Sequence, residues 1–194
     1  MGVTISKEEL RNLPVETFDG PIYVIDRKKK AEQALQFLST RQALGFDTET
    51  KPTFKRGETH KVALLQLATD TECFLFRLNR IGFPPQLEGL MCNPDIRKIG
   101  LSLRDDFAAL HKRSDSKPQS FIDLQLFTNR FGIEDNSLQK IYAILFGKKI
   151  SKKQRLSNWE AKTLTPAQQS YAAIDAWACL KIYRHLTRHS GDLL

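Results

Sequence analysis

Two carboxylates close an apolar segment in the first quarter of the chain. Asp47 and Glu49 end the stretch Ala43–Glu49, whose composition predicts a buried strand. Side chains two residues apart in a strand point to the same face, so the two charges repel each other. At about 5 Å and an effective dielectric constant of about 20, this repulsion costs roughly 3 kcal/mol. A bound divalent cation removes that cost, since Mg²⁺ and Mn²⁺ prefer carboxylate oxygens; a solvent-exposed strand end is the alternative.

A phenol and a third carboxylate share one face of a predicted helix near the C-terminus. Tyr171 and Asp175 are four residues apart within the predicted helix Pro166–Arg188. The side chains around Asp175 are small, so another backbone can approach this helix closely: Ala172, Ala173, Ala176 and Ala178. The pair could hold a water molecule and a metal ion, whereas a core tyrosine beside a surface aspartate is the simpler interpretation.

Two adjacent aspartates, Asp105 and Asp106, stand at the start of a predicted helix, Arg104–Lys112. That helix follows the short predicted strand Lys98–Gly100. An acidic residue in the first turn is favoured by the helix dipole and by capping, so neither position indicates chemistry by itself.

Composition narrows the class of protein. A length of 194 residues suits one domain with a sizeable core, and a net charge of +8 favours a polyanionic partner such as nucleic acid. The three cysteines, Cys73, Cys92 and Cys179, are far apart and form no CxxC pair, which argues against a zinc ribbon. No signal peptide and no apolar run long enough for a membrane span is visible. We therefore expect a bacterial-type cytoplasmic or a nuclear protein that is not secreted and does not enter a membrane.

The elements that must position these groups fall into an early group of strands and a late group of helices. The predicted strands are Ile22–Ile25, Ala43–Glu49, Val62–Ala68, Glu72–Leu78 and Lys98–Gly100, with Phe121–Leu124 as a strand or a helix start. The predicted helices are Lys30–Leu38, Gln86–Met91, Arg104–Lys112, Gln125–Phe131, Ser137–Phe146 and Pro166–Arg188. The pattern predicts an α/β fold, a mixed sheet of about five strands flanked by helices, with a hairpin turn at Asp70-Thr71. We expect one domain over residues 1–194, with a core at about 20–188 and a lead-in at 1–19.

Taken together, the acidic segments resemble the three motifs of the DEDDy group of DnaQ-like 3′–5′ exonucleases. The first motif is Phe46–Thr50, and the third is Tyr171 with Asp175. The second motif runs from Lys98 to an aspartate eight residues later. This spacing selects Asp106 and not the adjacent Asp105. The resemblance covers about residues 20–188.

Within that group the chain is most similar to the Werner-type exonuclease domain. Ribonuclease D and the proofreading domains of family A DNA polymerases resemble it less. The segments that carry the similarity are Gly45–Glu49, Arg56-Gly57, Lys61–Leu67, Ser137-Leu138, Leu145–Lys148, Leu156–Trp159, Leu164-Thr165, Gln168 and Tyr171–Asp175.

The resemblance implies a ribonuclease H-like fold and two divalent cations, Mg²⁺ or Mn²⁺. It implies that Asp47 contacts both ions, that Glu49 and Asp175 hold the ion carrying the attacking water, and that Asp106 supports the second ion. Tyr171 would orient the water for attack on the terminal phosphodiester, which releases a nucleoside 5′-monophosphate.

Candidate substrate contacts are less specific than the acidic motifs. Lys55 and Arg56 follow the first motif and Arg155 precedes the third; each could meet phosphates or belong to a solvated surface. Thr48 lies within the first motif, and Leu67 occupies a position near the terminal nucleotide in the family. Trp159 could stack on a base or pack in the core.

The Werner-like segments favour DNA as the substrate. An exoribonuclease of the ribonuclease D kind, with the same chemistry on RNA, is the first alternative. A non-catalytic nucleic-acid-binding module is the second, although all five functional groups of the motifs are present. A catalytic subunit that acts on ends presented by another protein is the third.

Overall fold

Six strands form one mixed sheet in the computed structural model, which describes residues 2–189. Their bounds are β1 Ile22–Ile25, β2 Ala43–Glu49, β3 Leu64–Ala68, β4 Cys73–Phe76, β5 Arg97–Gly100 and β6 Phe121–Asp123. The order across the sheet is β1-β4-β3-β2-β5-β6. The β2–β3 and β3–β4 pairs are antiparallel, and the β1–β4, β2–β5 and β5–β6 pairs are parallel. The strand that carries Asp47 and Glu49 therefore lies inside the sheet, with a neighbour on each side.

Helices cover both faces of this sheet. Their bounds are α1 Lys7–Asn12, α2 Lys28–Leu38, α3 Leu78–Ile81, α4 Pro85–Cys92, α5 Leu103–His111, α6 Leu124–Asn129, α7 Leu138–Phe146 and α8 Pro166–His189. Apolar residues of α2, α4 and α5 pack with Phe46 and Leu67 on one face. On the other face, α8 packs with Leu64, Ala68 and Leu75. Within the described residues, no helix has both the length and the apolar character that a membrane crossing requires.

The backbone of α8 lies directly against β2. A Cβ atom added at Gly45 would stand 1.9 Å from the carbonyl oxygen of Ala176, so no larger residue fits between strand and helix. Ala172, Ala173 and Ala176 are fully buried at this contact. The small helix face predicted from the sequence is confirmed, and it brings the Asp175 segment onto the strand that carries Asp47.

The element boundaries agree closely with the sequence at the strands that matter for the site. Strand β2 has the predicted bounds, and β3 and β4 form the predicted hairpin. The turn between them is held by Thr69, whose hydroxyl accepts hydrogen bonds from the amides of Thr71 and Glu72. The sheet has six strands instead of about five, because the short segment β6 pairs with β5 over three residues.

The lead-in packs onto the rest of the chain and contains a helix, α1, that the sequence interpretation did not include. Its Glu16 is buried and accepts hydrogen bonds from the Tyr142 hydroxyl at 2.5 Å, from Lys148 Nζ at 2.9 Å and from Lys181 Nζ at 3.3 Å. Because Tyr142 lies on α7 and Lys181 on α8, this carboxylate ties the lead-in to the two helices behind the site.

Candidate active site

Three carboxylates from two elements converge at the end of β2. One carboxylate oxygen each from Asp47, Glu49 and Asp175 can be chosen so that all lie within 4.8 Å of one another. Asp47 and Glu49 share a face of β2 because they are two residues apart, and Asp175 reaches that face from α8. The convergence depends on the close contact between Gly45 and Ala176, since Asp175 precedes Ala176 directly in the chain.

Asp106 approaches the same strand from the opposite layer. It lies in the first turn of α5, and one of its carboxylate oxygens accepts a hydrogen bond from the hydroxyl of Thr48. Thr48 stands between Asp47 and Glu49 in β2, so its side chain points to the other face of the strand. Thr48 thereby links the fourth carboxylate to the strand that carries the first two, which gives it a role in positioning Asp106.

A fifth carboxylate, that of Asp123, is not among the predicted site residues and fixes the start of α5. Asp123 accepts hydrogen bonds from the backbone amides of Ser102 at 3.2 Å and Leu103 at 2.9 Å. The same carboxylate caps α6 by accepting from the amide of Gln125. Ser102 takes a left-handed conformation, with φ of 58°, which a non-glycine residue adopts at some energetic cost. The position of Asp123 between a strand and a helix indicates that it caps α6. No local pattern in the sequence indicates that it also binds the start of α5.

Tyr171 lies one helical turn before Asp175 and interacts with it. A hydrogen bond between the Tyr171 hydroxyl and the Asp175 carboxylate lowers the pKa of Asp175 relative to burial alone. The ring of Tyr171 packs against that of Trp159, with centroids 5.9 Å apart and an interplanar angle of 35°. Trp159 is fully buried, so it holds the phenol from behind.

Burial raises the pKa of every carboxylate in the cluster, and repulsion by the other carboxylates adds to this effect at Asp47 and Glu49. Burial followed by the charges of Asp175 and Glu49 raises the pKa of Asp47 well above its usual range. Burial and the charges of Asp175 and Asp106 raise the pKa of Glu49 to about 9. Burial raises the pKa of Asp175 to about 7 and that of Asp106 to about 6. Oxygen ligands at this density, in a place that penalises their negative charge, fit the coordination preferences of a divalent cation.

A cavity of about 310 Å³ opens beside the carboxylates. Its lining includes Asp47, Asp175 and Tyr171. The remaining wall combines the apolar residues Leu101, Leu138, Ile150 and Cys179 with the polar residues Ser102, Asn136, Ser137, Gln139, Lys152 and Arg155. An anionic chain that enters this cavity would thus meet cations on one side and the carboxylate cluster on the other.

The four basic residues Lys148, Lys149, Lys152 and Arg155, which precede the third motif, have different surroundings in the structure. Lys148 is paired with Glu16, and Lys149 donates to the carbonyl of Arg11. Lys152 and Arg155 line the cavity instead, and the charge of Lys152 lowers the pKa of Asp175. Of these four, only the last two are directed at the carboxylate site.

The other predicted substrate contacts have different positions. Lys55 and Arg56 are exposed in the loop between β2 and β3. Leu67 and Trp159 are fully buried, which agrees with the packing interpretation of Trp159; contact of either residue with a nucleotide stays a prediction. Leu67 pairs with Phe46 on the face of the sheet opposite the cluster.

A six-stranded mixed sheet flanked by helices, with carboxylates from an inner strand and from two helices at one site, defines a ribonuclease H-like exonuclease fold. Comparison with known sequences agrees: a sequence model described as 3′–5′ exonuclease matches residues 22–190, and the chain belongs to this family.

Individual relatives support the same assignment. The chain is 34% identical over 185 residues to the bifunctional 3′–5′ exonuclease/ATP-dependent helicase WRN of Mus musculus, an alignment that covers 90% of this chain. It spans only 13% of the length of that protein and 26% of two further curated relatives.

Solved structures share the fold at lower identity. The EXO domain of Aedes aegypti Nibbler superposes with a TM-score of 0.79 at 22% identity, covering 100% of this chain and 94% of that domain. Escherichia coli RNase D, an exoribonuclease involved in structured RNA processing, gives a TM-score of 0.79 at 22% identity, covering 88% of this chain and 45% of that protein. At this identity the similarity establishes the fold alone.

Proposed function

We propose that this chain is a single exonuclease domain that removes nucleotides from the 3′ end of DNA and releases nucleoside 5′-monophosphates. The observation that carries the proposal is the convergence of Asp47, Glu49 and Asp175 within 4.8 Å, beside a cavity that Tyr171 also lines. Membership of the 3′–5′ exonuclease family supports the polarity of the reaction.

We further propose that Asp47, Glu49, Asp106 and Asp175 hold two divalent cations, Mg²⁺ or Mn²⁺. Bound ions would lower the pKa of a coordinated water and stabilise the attacking and leaving oxygens of the phosphodiester. Asp47 would contact both ions, Glu49 and Asp175 would hold the ion that carries the water, and Asp106 would support the other. Thr48 keeps Asp106 in place by donating a hydrogen bond to its carboxylate. Asp123 does so by fixing the start of α5, the helix that carries Asp106.

Tyr171 orients the attacking water and does not act as the base. Burial, together with the nearby charges of Asp175 and Glu49, raises the pKa of the phenol well above its usual value, so the hydroxyl keeps its proton. A protonated phenol donates one hydrogen bond and accepts another, which suits it to fix the direction of a water molecule. The buried ring of Trp159 restricts the phenol to one position.

Lys152 and Arg155 bind the phosphates next to the scissile bond, and the exposed Lys55 and Arg56 bind further along the strand. Contacts of this kind add affinity without reading sequence, as a trimming enzyme requires. The preference for DNA follows the resemblance of the motif segments to the Werner-type exonuclease domain, and a relative at 34% identity is named as a 3′–5′ exonuclease of that type. The second candidate substrate is RNA, which the shared fold with an E. coli exoribonuclease favours.

A labelled duplex with one recessed 3′ end tests the activity. With Mg²⁺ or Mn²⁺, we expect a ladder of products that shortens from the 3′ end, and the chelator EDTA should abolish it. The variant Asp47→Ala, purified in the same way, should be inactive. Degradation that survives this substitution would show that a contaminant is responsible and would contradict the proposal.

Matched single strands of DNA and RNA, equal in sequence and length, decide the sugar preference. We expect a higher kcat/KM on DNA. A higher kcat/KM on RNA would establish the exoribonuclease alternative and leave the metal site as proposed.

A further inference from the structure

Gln66 is the cross-strand neighbour of Asp47. The two residues stand directly opposite each other in the antiparallel pair of β2 and β3, so their side chains share one face of the sheet. Residues paired in this way have Cβ atoms about 4.5–5.5 Å apart, a separation that a glutamine side chain can span. Gln66 therefore adjoins Asp47, a carboxylate of the cluster, from the neighbouring strand β3.

The amide of Gln66 is buried without hydrogen bonds. Its side chain is fully buried, and neither Oε1 nor Nε2 has a partner. Within residues 2–189, no other buried side chain leaves both a donor and an acceptor atom unpaired. An unsatisfied buried amide of this kind is destabilising, so an apolar residue would serve a purely structural role better.

Among the nearest neighbours of Gln66 in the sheet, Asp47 is the polar one. On β4, Leu75 lies opposite Gln66, and Leu64 and Ala68 lie two residues away along β3 on the same face. These neighbours belong to the apolar cluster beneath α8. The carboxylate of Asp47 is thus the acceptor that the amide can reach within its own row of the sheet.

We propose that Gln66 is a positioning residue for the metal centre: its Nε2, which has no partner in the structure, would donate to the carboxylate of Asp47 when the cation is bound and fix the orientation of that carboxylate. The inference rests on the proposed metal-dependent function. A neutral amide suits this place because it donates a hydrogen bond without adding charge. A glutamate would add a further like charge to the cluster, and a lysine would compete with the cation. Partners that hold ligands in this way typically change metal affinity by about 10- to 100-fold when removed.

Gln66→Met tests the proposal, since methionine has a similar length and no hydrogen-bonding amide. Mn²⁺ binding to the purified chain is measured by titration calorimetry, and thermal unfolding is measured in EDTA. We expect about a 10- to 100-fold weaker Mn²⁺ affinity. We expect an unfolding midpoint in EDTA equal to or above that of the wild type, because the variant buries no unpaired amide. On DNA, we expect kcat to fall and KM to stay nearly unchanged, because the basic side chains that bind phosphate are intact.

Gln168→Met is the matched control. Gln168 is a second buried glutamine, but its amide is satisfied: Oε1 accepts from the amide of Thr165 at 2.9 Å, and Nε2 donates to the carbonyl of Asn158 at 3.3 Å. We expect this variant to unfold at a lower temperature in EDTA and to bind Mn²⁺ as the wild type does. The two glutamines should therefore show opposite patterns of stability and metal affinity.

Each outcome separates this inference from the proposed function. If the wild type binds Mn²⁺ and Gln66→Met binds it equally well, the positioning role is refuted and the exonuclease proposal stands. If the wild type binds no Mn²⁺, the metal centre itself fails. Should Gln66→Met not fold, Gln66→Leu is measured in the same way; failure of both variants to fold would refute the inference, because it predicts undiminished stability in EDTA.

Discussion

Replacing one carboxylate of the cluster should stabilise the protein when no metal is present. Asp47 repels Glu49 and Asp175, whose oxygens lie within 4.8 Å, and Asp47→Asn removes one charge while keeping the size of the side chain. A functional residue often lies in an environment that is unfavourable unless its ligand is bound. Replacing such a residue abolishes activity but raises stability. We expect this behaviour from Asp47→Asn in EDTA.

The magnitude follows from the geometry. One pair of unit charges 4.8 Å apart repels by roughly 3.5 kcal/mol at an effective dielectric constant of about 20. Partial protonation already relieves part of this repulsion, because the pKa of Asp47 is raised well above its usual range, that of Glu49 to about 9 and that of Asp175 to about 7. A net gain of about 1–3 kcal/mol remains, which in a chain of this size raises the unfolding midpoint by roughly 3–10 °C.

The sign of the pH dependence is fixed by the same shifts. The folded state binds protons at Glu49 and Asp175 more tightly than the unfolded state, because the pKa values of both are raised. The contribution of these two carboxyl groups to stability in EDTA is therefore fully present below their unfolded pKa values near 4 and is lost as the pH rises through about 7 and about 9. The advantage of Asp47→Asn over the wild type should grow over the same interval.

Thermal unfolding in EDTA, followed by circular dichroism at about pH 5 and at about pH 9, the raised pKa of Glu49, measures both effects. Asp105→Asn is the matched control, because this exposed aspartate lies next to Asp106 on α5. Its loss should lower stability by at most about 1 kcal/mol through the helix dipole. An Asp47→Asn midpoint below that of the wild type at the higher pH would refute the reasoning.

Three further substitutions test the positions that the structure gives to the site. Gly45→Ala should lower stability by about 1–3 kcal/mol and lower kcat, because the new methyl group displaces the backbone of Ala176; unfolding and turnover are measured together. Tyr171→Phe should reduce kcat by about 100-fold with an unchanged unfolding midpoint, since the ring contact remains while the hydroxyl is lost. Lys152→Ala should raise KM for DNA. It should also reduce the slope of log KM against log salt by about 0.7, because one phosphate contact on a single strand is lost. Lys153→Ala is the control and should change neither quantity.

The sequence predicts the catalytic strand and its partner helix well because their signals are local. An apolar strand that ends in two carboxylates is visible in Ala43–Glu49, and the predicted bounds match those of β2. The small residues around Asp175 indicate a close backbone approach, which the contact of Ala176 with Gly45 confirms. The selection of Asp106 over Asp105 depended on family spacing, since both aspartates satisfy the helix dipole equally.

The parts that the sequence leaves open depend on contacts between distant residues. Lys148 and Lys152 are equivalent in a charge count, yet Lys148 is neutralised by Glu16, 132 residues away, whereas Lys152 lines the site. The burial of Leu67 follows from strand alternation once the register is known, because it pairs with Phe46 on the opposite face. Register is a property of two strands, so the sequence of one does not contain it.

The close packing of α8 on β2 and the repulsion at its centre have opposite effects on the stability of the fold. The contact between Gly45 and Ala176 holds Asp175 near Asp47, so the folded chain carries their repulsion at any pH at which both carboxylates are charged. A cation at about 100 times its dissociation constant stabilises the folded state by about 2.7 kcal/mol, a magnitude comparable to that repulsion. Metal binding should therefore restore about as much stability as Asp47→Asn gains without it. Exonuclease turnover and thermal stability of the wild type should then rise over the same range of ion concentration, since both depend on occupancy of one cluster.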